Sequence, residues 1–360
     1  MPIKILHVLN GLGSGGAEAI IMNWYRHIDK TKIQFDFLIR STENIYAEEI
    51  RNYGGQVYIM PPYPGAYFAN RTETEKFFRE HSGEYKAIHV HGNALLYVNI
   101  FKIAKKSGVQ NRIFHSHSIQ TSPAYLILHI FNRFRIQKLA THYFACSDAA
   151  GKWAFRNGPF IIINNGIITE RFCYNVSVRT RMRQELGLQG KVVYGHVGRF
   201  AAVKNHVFLL EVFGKLAQKK KESVLLLLGE GELQEKIKQI AEEKGIGDKV
   251  LFLGRKSNVG NYFQAMDVFL LPSLHEGFPI VAVEAQGSGL RSVLSDTIPN
   301  EVAITELVTR LPISNSDVWV EYLMNLDPQG RRDTTADIQK AGYDIKKTTK
   351  YLEAFYCSLH

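Results

Sequence analysis

The sequence predicts an α/β protein with two Rossmann-like domains, each built on a parallel sheet. Apolar segments of strand length alternate with longer segments of helical period, the alternation stops at a charged segment near residues 178–191, and it then begins again. A length of 360 residues fits two domains. Hydrophobic residues make up 45% of the chain and charged residues 22%, which excludes collagen, a coiled coil and a disordered chain.

The predicted strands form two groups, one on each side of the charged segment. The first group is 3–9, 35–39, 57–60, 87–90, 112–115, 142–145 and 160–163, and the second is 192–197, 223–228, 250–252, 268–271 and 291–294. We expect domains at residues 1–170 and 171–343, and a final helix at 344–360 that packs on the N-terminal domain. Because open parallel sheets bind ligands at the carboxyl ends of their strands, we expect the domains to face each other across a central cleft.

The formal charge of +10 is concentrated in the first half of the chain. Residues 1–171 carry 20 basic and 12 acidic side chains, a balance of +8, and the remainder carries only +2. An anionic partner is therefore expected. RNA is not expected, because no signature of an RNA-binding module is present.

A segment at 125–140 mixes apolar side chains with cations. This composition fits a helix resting on an anionic bilayer, and it fits equally a helix whose apolar face packs in the core. The apolar residues are Leu126, Ile127, Ile130, Phe131 and Phe134, and the cations are Arg133, Arg135 and Lys138.

The cysteines and the hydropathy pattern indicate a cytoplasmic protein. Cys146, Cys173 and Cys357 are too few and too far apart for a disulfide framework. The first apolar segment is too short for a signal peptide, and no segment approaches the roughly 18 apolar residues of a membrane span. Any membrane contact, on the inner face of the plasma membrane, is therefore expected to be peripheral.

A glycine-rich loop at 10–18 follows the first predicted strand and opens a helix. Gly11, Gly13 and Gly16 match GxGxxG, and free backbone amides in such a loop can receive a phosphate or approach a sugar. A dinucleotide site would also need an acidic residue after the second strand, and the nearest one, Asp36, lies inside the apolar segment. A tight turn without a ligand is the alternative, although the glycine content favours a ligand.

Two segments of the second domain place charged side chains after predicted strands. Arg199 and Lys204 follow the strand at 192–197, where a guanidinium and an ammonium can neutralise a diphosphate; solvated surface cations are the alternative. Glu276 follows the strand at 268–271, and Glu284 comes two helical turns later. Both carboxylates can accept hydrogen bonds from sugar or ribose hydroxyls. Taken alone, Glu276 would more often be a neighbour of a helix N-cap, and Glu284 an exposed helix residue.

Together these segments resemble the GT4 family of retaining glycosyltransferases, which have the GT-B fold. The resemblance covers essentially the whole chain, and its most specific motif is the pair Glu276 and Glu284, which matches the EX7E signature. Phe-Asp-Phe, His-Ser-His-Ser, Ala-Cys-Ser-Asp and Ser-Asp-Thr-Ile-Pro-Asn-Glu-Val resemble stretches of the EpsF-type enzymes. Further matching motifs are GGAE at 15–18, HVH at 89–91, HSH at 115–117, NNGI at 164–167, LGEGE at 228–232 and FLG at 252–254.

The resemblance implies a reaction and its substrates. A hexosyl or N-acetylhexosaminyl unit would pass from a nucleotide sugar, with UDP as the expected nucleotide, to a lipid-diphosphate-linked glycan in capsule or exopolysaccharide synthesis. The anomeric configuration would be retained, and neither a metal nor a cofactor would be needed. A non-catalytic GT-B-like subunit that binds a nucleotide sugar for a partner transferase is the alternative, and an epimerase or NAD-dependent oxidoreductase is a third possibility.

The resemblance also implies roles for individual residues. Arg199 and Lys204 would bind the diphosphate, Glu284 the ribose and Glu276 the transferred sugar. A histidine is expected beside that sugar; His117 is favoured, His115 stays open, and His91 would line the acceptor side. The other expected substrate-binding residues are Gly15, Gly16, Asn165, Gly198, Gly254, Arg255, Lys256, Gly277, Phe278, Pro279 and Ile280.

Overall fold

A computed structural model of the chain describes residues 2–13, 15–327 and 330–360. These residues form two compact units. The first comprises the described residues up to Gly166 together with Ile345–His360, and the second comprises Ile167–Asp344. The chain thus passes between the units after Gly166 and after Asp344, where the sequence predicts boundaries at 170 and 343. Within the described ranges, no helix is both long enough and apolar enough to cross a bilayer.

The first unit is a seven-stranded parallel sheet in the order β3-β2-β1-β4-β5-β6-β7. Its strands are apolar along most of their length because helices cover both faces, as is typical of parallel sheets. The strands are β1 Ile3–Val8, β2 Ile33–Ile39, β3 Val57–Ile59, β4 Tyr85–Gly92, β5 Asn111–Ser116, β6 His142–Ala145 and β7 Ile161–Ile162. The helices between them are α1 Gly16–His27, α2 Ala47–Asn52, α3 Tyr67–His81, α4 Asn99–Lys106, α5 Pro123–Leu139 and α6 Asp148–Phe155.

The second unit repeats this topology with six parallel strands in the order β10-β9-β8-β11-β12-β13. The strands are β8 Val192–Val197, β9 Ser223–Leu228, β10 Val250–Gly254, β11 Val268–Leu271, β12 Arg291–Ser295 and β13 Val308–Leu311. The helices are α7 Thr169–Phe172, α8 Val176–Glu185, α9 His206–Lys219, α10 Gln234–Glu243, α11 Val259–Ala265, α12 Ile280–Gly287, α13 Ser316–Asn325 and α14 Thr335–Lys340.

All twelve predicted strands are present, so the predicted fold class of two parallel α/β sheets is confirmed. The sequence analysis missed β13. This edge strand reads Val-Thr-Arg-Leu, and its four residues are only partly buried. A half-buried edge strand with polar residues lacks the continuous apolar pattern by which the other strands were recognised.

The last helix, α15 Ile345–Ser358, is part of the first unit. Leu352 and Tyr356 are fully buried there. The Glu353 carboxylate accepts a hydrogen bond from the backbone N–H of Asp29 at 2.6 Å. The chain therefore returns to the first unit after completing the second.

Each sheet has its first strand in the interior, between the second strand and the fourth. In the first unit β1 lies between β2 and β4, and in the second unit β8 lies between β9 and β11. The chain connections run in opposite directions on the two sides of such a strand, which leaves a crevice at its carboxyl end. These two strand ends are where functional side chains are expected.

Candidate functional site

At the carboxyl ends of β8 and β11, Lys204 and Glu276 form an ion pair. The Lys204 ammonium lies 2.5 Å from Glu276 Oε1, and the two side chains are only 17% and 14% exposed. The loops that carry them are also joined through the backbone, since Leu274 N–H donates to Val203 O at 2.8 Å. The structure thus brings together two residues that the sequence places 72 positions apart.

Glycine at position 198 leaves room for the His196 ring, beside the Lys204 side chain. A Cβ at this position would lie 3.0 Å from His196 Nε2 and 3.4 Å from Lys204 Cδ. Gly229 adopts a φ of +137°, and a Cβ there would clash with the carbonyl oxygen of Gly198. Gly229 therefore lets the loop after β9 approach the loop after β8 closely.

Arg199 lies at the surface and pairs with a different carboxylate. Its Nη2 is 3.1 Å from Glu232 Oε2, and its side chain is 71% exposed. Each of the two predicted diphosphate-binding cations is thus neutralised by its own acidic partner. The sequence analysis assigned no role to Glu232, although the motif Leu-Gly-Glu-Gly-Glu that contains it was recognised.

The loop from Gly277 to the start of α12 is held by packing. Phe278 is buried and stacks on Tyr343, with ring centroids 5.1 Å apart and planes 11° apart. Pro279 precedes α12, which begins at Ile280. Backbone N–H groups at such a helix start carry partial positive charge, so this end of α12 is suited to an anionic ligand.

Glu284 projects from α12 in a partly buried position. Burial raises the pKa of its carboxyl to about 7. This carboxyl therefore changes between a neutral donor and an anionic acceptor close to physiological pH.

The predicted nucleotide-base residues lie at the carboxyl end of β10. Gly254 ends that strand, and the Arg255 N–H donates to Glu230 Oε1 at 3.4 Å. The Lys256 ammonium lies 5.9 Å from the centroid of the Tyr262 ring. The structure therefore places these residues beside Glu230, at the same end of the sheet as Lys204.

In the first unit, carboxylates lie against the glycine-rich loop. Gly15 and Gly16 are exposed, and a Cβ at Gly15 would clash with the Glu18 carboxylate, whereas a side chain at Gly16 would meet no described atom. Burial raises the pKa of Glu18, and the nearby charge of Glu43 raises it further. Near Gly15, the Glu18 carboxylate would repel a phosphate unless it moves or becomes protonated.

Asp36 does not have the free carboxylate that a dinucleotide site requires. It is 1% exposed and accepts hydrogen bonds from the Gln56 N–H at 2.8 Å and from the Tyr85 hydroxyl at 3.0 Å. Its oxygens are occupied inside the unit. This gives no support to the NAD-dependent alternative.

Five histidines collect around the carboxyl ends of β1, β4 and β5, and four of them are buried. His7 Nδ1 is 2.9 Å from His91 Nε2, and His91 Nδ1 is 2.9 Å from His117 Nε2. Burial lowers the pKa of His7 and of His117 to about 3, and it lowers the pKa of the other three well below the usual value, so all five are neutral at pH 7. The five residues are His7, His89, His91, His115 and His117.

His117 is partly exposed, whereas His115 is fully buried. His115 Nδ1 is 3.2 Å from His89 Nε2, and His89 Nδ1 is 2.7 Å from the Tyr356 hydroxyl. Only His117 of the two predicted histidines can therefore meet a ligand without opening the core. The sequence analysis missed His7, which lies beside His89 in the register of β1 and β4.

Two groups of histidines in the described part of the chain have nitrogens within 4.8 Å of one another, namely His7, His89 and His91, and His91, His115 and His117. A metal ion must lie in the plane of each imidazole that binds it. The rings of His115 and His117 instead stack, with centroids 4.2 Å apart, and so do those of His89 and His91. The observed arrangement suits hydrogen bonding better than metal ligation.

Asn165 follows β7 and is 2% exposed. Within the described residues its side-chain oxygen has no hydrogen-bond partner. The predicted substrate-binding role of Asn165 would give this oxygen a donor.

Comparisons with known proteins identify the family of the chain. The family described as "Glycosyl transferases group 1" matches residues 178–326, and the one described as "Glycosyltransferase Family 4" matches residues 14–171. The chain is 33% identical over 373 residues to the putative glycosyltransferase EpsF of Bacillus subtilis (strain 168), which covers 98% of this chain and 96% of that protein. The chain belongs to the group 1 glycosyltransferase family.

Other relatives of this glycosyltransferase support its fold and its class. The crystal structure of HepE from Anabaena, in complex with UDP and glucose, superimposes with a TM-score of 0.81 at 18% identity and covers 99% of this chain and 100% of HepE. This likeness confirms the GT-B fold. A UDP-Gal:alpha-D-GlcNAc-diphosphoundecaprenol alpha-1,3-galactosyltransferase of Escherichia coli is 30% identical over 147 residues, 40% of this chain and 38% of that enzyme.

The raised pKa of Glu284 predicts a pH dependence of stability. Between the ordinary pKa of a glutamate and pH 7, the folded state keeps a proton that the unfolded chain has lost, so Glu284 contributes a decrease in the free energy of unfolding as pH rises through this window. The neutral histidines of the first unit contribute an increase with pH, which is the same in wild type and variant. The free energy of unfolding of wild type minus that of Glu284→Gln should therefore fall by about 2 kcal/mol from pH 5 to pH 8, as measured by urea unfolding of both proteins.

The control is Glu306→Gln, which alters a 75% exposed carboxylate of the same unit. It should leave the pH dependence unchanged. Parallel pH profiles for wild type and Glu284→Gln would show that Glu284 is ionised in the folded protein at pH 5.

Proposed function

We propose that this glycosyltransferase moves a hexosyl or N-acetylhexosaminyl unit from a UDP-sugar to a lipid-diphosphate-linked glycan, with retention of configuration, in capsule or exopolysaccharide synthesis. The observation that carries the proposal is the Lys204–Glu276 ion pair at the crevice of the second unit, with Glu284 following on α12. The HepE structure contains UDP and glucose, and the Escherichia coli relative is named for UDP-Gal and a diphosphoundecaprenol-linked sugar.

When the donor binds, Lys204 and Arg199 exchange their carboxylate partners for the diphosphate. The diphosphate attracts the Lys204 ammonium and the Arg199 guanidinium, which frees Glu276 to accept hydrogen bonds from the sugar hydroxyls. Glu284 accepts hydrogen bonds from the ribose. Because Lys204 already lies beside Glu276, both groups are in place for adjacent parts of one nucleotide sugar, the diphosphate and the sugar attached to it.

The same cations lower the barrier to transfer. As the glycosidic bond breaks, negative charge grows on the departing diphosphate and the sugar acquires oxocarbenium character. Lys204, Arg199 and the amides at the start of α12 gain attraction as this charge develops. In the mechanism we propose, the acceptor hydroxyl attacks on the face that the phosphate leaves, and the phosphate oxygen takes its proton.

The remaining residues receive supporting roles in this proposal. His117 contacts the transferred sugar and His91 lies on the acceptor side. Gly15 and Gly16 contact the distal phosphate. The nucleotide base lies near Gly254, Arg255 and Lys256, and Gly198 and Gly277 allow backbone to approach the ligand.

Substitution of the ion pair tests the proposal directly. Lys204→Met should weaken UDP binding about tenfold, because one charge-assisted contact to the diphosphate is lost. Glu276→Gln should leave UDP binding within about twofold but lower kcat about a hundredfold, because it loses a contact to the sugar. Calorimetric titration with UDP measures binding, and transfer from a panel of UDP-sugars to a lipid-linked acceptor measures kcat.

Lys215→Met is the matched control, since Lys215 pairs with Asp317 on the surface of the same unit. This variant should change neither UDP binding nor kcat. Saturable UDP binding without transfer from any UDP-sugar would favour a non-catalytic binding subunit, and normal transfer by both site variants would contradict the assigned roles.

We propose that transfer needs no metal, because Lys204, Arg199 and α12 already supply positive charge to the diphosphate. Transfer rates should therefore be the same, within about twofold, after dialysis against EDTA as in buffer with Mg²⁺ or Mn²⁺. Loss of activity with EDTA, followed by recovery when a divalent cation is added, would contradict this proposal.

We propose that α5 rests on an anionic bilayer. The five apolar residues singled out in its sequence are all exposed, among them Ile127 at 82%, Phe131 at 60% and Phe134 at 57%, so the alternative of a core-facing apolar surface does not hold for them. The helix contains no acidic residue. The Arg135 and Arg156 guanidinium groups lie 5.5 and 5.1 Å from the rings of Phe131 and Phe134.

Such a surface should bind vesicles that contain phosphatidylglycerol more tightly than neutral phosphatidylcholine vesicles. The double variant Ile127→Ser/Phe131→Ser should lower binding to the anionic vesicles at least about tenfold, because it removes two apolar side chains from the contact. Co-sedimentation with each kind of vesicle measures the binding of wild type and variant. Val176→Ser, at a 63% exposed position of the second unit, is the control, and equal binding by all three proteins would contradict the proposal.

A further inference from the structure

Arg40 is a partly buried cation at the carboxyl end of the first sheet. It follows β2, its backbone N–H donates to Asn10 O at 2.8 Å, and its Nε donates to Leu9 O at 3.3 Å. Both carbonyls lie just beyond β1, so the guanidinium is held where that interior strand ends. The remaining side-chain N–H groups of Arg40 have no acceptor among the residues that the structure describes.

The surroundings of Arg40 differ from those of a paired arginine. Arg26 of the same unit is also partly buried, and its guanidinium donates to both oxygens of Glu49, at 2.6 and 2.7 Å. Arg40 lies instead over the ring of Tyr97, 4.3 Å from its centroid. Burial lowers the pKa of Arg40, and in the described part of the chain the groups that oppose this effect are tyrosines, not carboxylates. A cation that leaves water without a counter-charge is costly, so this position suits an anion from outside the chain.

The Tyr97 ring that supports Arg40 is fixed. Its hydroxyl donates to Asn70 Oδ1 at 2.9 Å and lies 3.1 Å from Thr74 Oγ1. Asn70 and Thr74 lie on α3 and are 1% and 0% exposed, and Tyr97 itself is 6% exposed. The guanidinium of Arg40 therefore rests on a rigid surface and is held in position before any ligand binds.

A second cation and a hydroxyl lie beside this position. The Tyr63 ring is 4.7 Å from the Tyr97 ring, measured between centroids. Burial raises the pKa of the Tyr63 hydroxyl, and the charges of Arg40 and Arg135 oppose that rise, so both guanidinium groups lie near this hydroxyl. Arg135 belongs to α5, which contains no acidic residue, and its Nη1 donates to Asn132 Oδ1 at 3.0 Å. Two cations and a phenol from three separate segments are thus neighbours.

Aromatic rings continue from these cations to the surface of the unit. We call Tyr97, Tyr63, Tyr67 and Phe68 the aromatic row. The Tyr67 ring lies 5.9 Å from that of Tyr63 and 5.3 Å from that of Phe68, measured between centroids. The exposed fraction rises along the row, from 6% at Tyr97 to 37% at Tyr67 and 81% at Phe68. A ligand that fits both features carries an anionic group at one end and an apolar chain beside it.

We propose that Arg40, Arg135 and the Tyr63 hydroxyl bind a diphosphate ester whose apolar chain lies on the aromatic row. A planar guanidinium can donate two parallel hydrogen bonds to phosphate oxygens, and a phenol can donate one more. In the enzyme this ester is the lipid diphosphate of the acceptor, an assignment that rests on the proposed function. The binding of a diphosphate ester by the first unit does not rest on it.

Calorimetric titration of the full chain with geranyl diphosphate tests the site. UDP is present at a saturating concentration, so that a nucleotide site cannot take the diphosphate. We expect saturable binding, and we expect weaker binding of both geraniol and inorganic pyrophosphate, because each lacks one half of the ligand. Arg40→Met should weaken the binding of geranyl diphosphate about tenfold, because a charge-assisted contact is lost, and should leave UDP binding within about twofold.

Arg51→Met is the matched control, since Arg51 is an exposed arginine on α2 of the same unit. It should leave the affinity for geranyl diphosphate within about twofold. Arg40→Lys keeps the charge but not the planar pair of donors, so its affinity should lie between those of wild type and Arg40→Met. Arg40→Lys also serves if Arg40→Met does not fold.

Four results would overturn the inference. They are no saturable binding of geranyl diphosphate, equal affinities of wild type and the Arg40 variants, an equal loss in Arg51→Met, and a loss of UDP binding instead. Co-sedimentation with phosphatidylglycerol vesicles separates the ester from a membrane headgroup. Weaker vesicle binding by Arg40→Met with an unchanged affinity for geranyl diphosphate would assign Arg40 to the bilayer and contradict the proposal.

Kinetics test the assignment of the ester to the acceptor once transfer has been measured. Arg40→Met should raise the KM for the lipid-linked acceptor about tenfold and leave the KM for the UDP-sugar unchanged. An unchanged KM for the acceptor would contradict this assignment. If the protein transfers no sugar, the proposed function fails, and the titration with geranyl diphosphate still decides whether the site exists.

Discussion

The hydrogen bonding of two parallel sheets, each with its first strand in the interior, determines where the candidate site residues of this glycosyltransferase lie. Parallel pairing places all strand carboxyl ends at one edge, so side chains that are far apart in sequence meet there. Lys204 and Glu276 follow β8 and β11 in this way, and His7, His91 and His117 lie on or after β1, β4 and β5.

The charges at the second sheet are arranged in opposed pairs. Lys204 pairs with Glu276 in a largely buried position, and Arg199 pairs with Glu232 in an exposed one. A largely buried cation without a partner would be strongly unfavourable, so the contact with Glu276 stabilises the Lys204 side chain in the free protein. The exposed pair contributes little to stability and is easily exchanged. The two cations thus differ in how firmly they are held before a ligand binds.

The polar side chains at the first sheet are neutral imidazoles rather than charged pairs. Five imidazoles lie where they are neutral at pH 7, because burial lowers the pKa of each one. Each neutral ring carries one N–H and one bare nitrogen, so two rings can hydrogen-bond only when one donates and the other accepts. Such contacts join His7 to His91, His91 to His117 and His89 to His115.

The sequence by itself determined the fold class and twelve of the thirteen strands, because buried parallel strands appear in it as continuous apolar segments. It also determined the motifs around Glu276, Glu284, Arg199 and Lys204, because ligand-binding residues of parallel sheets follow the carboxyl ends of the strands. It could not show that Lys204 lies against Glu276 or that Arg199 turns to Glu232. It also missed His7 and could not choose between His115 and His117. These features depend on strand order, register and burial, and only the tertiary structure brings distant residues into contact and decides which nitrogen is left without a partner.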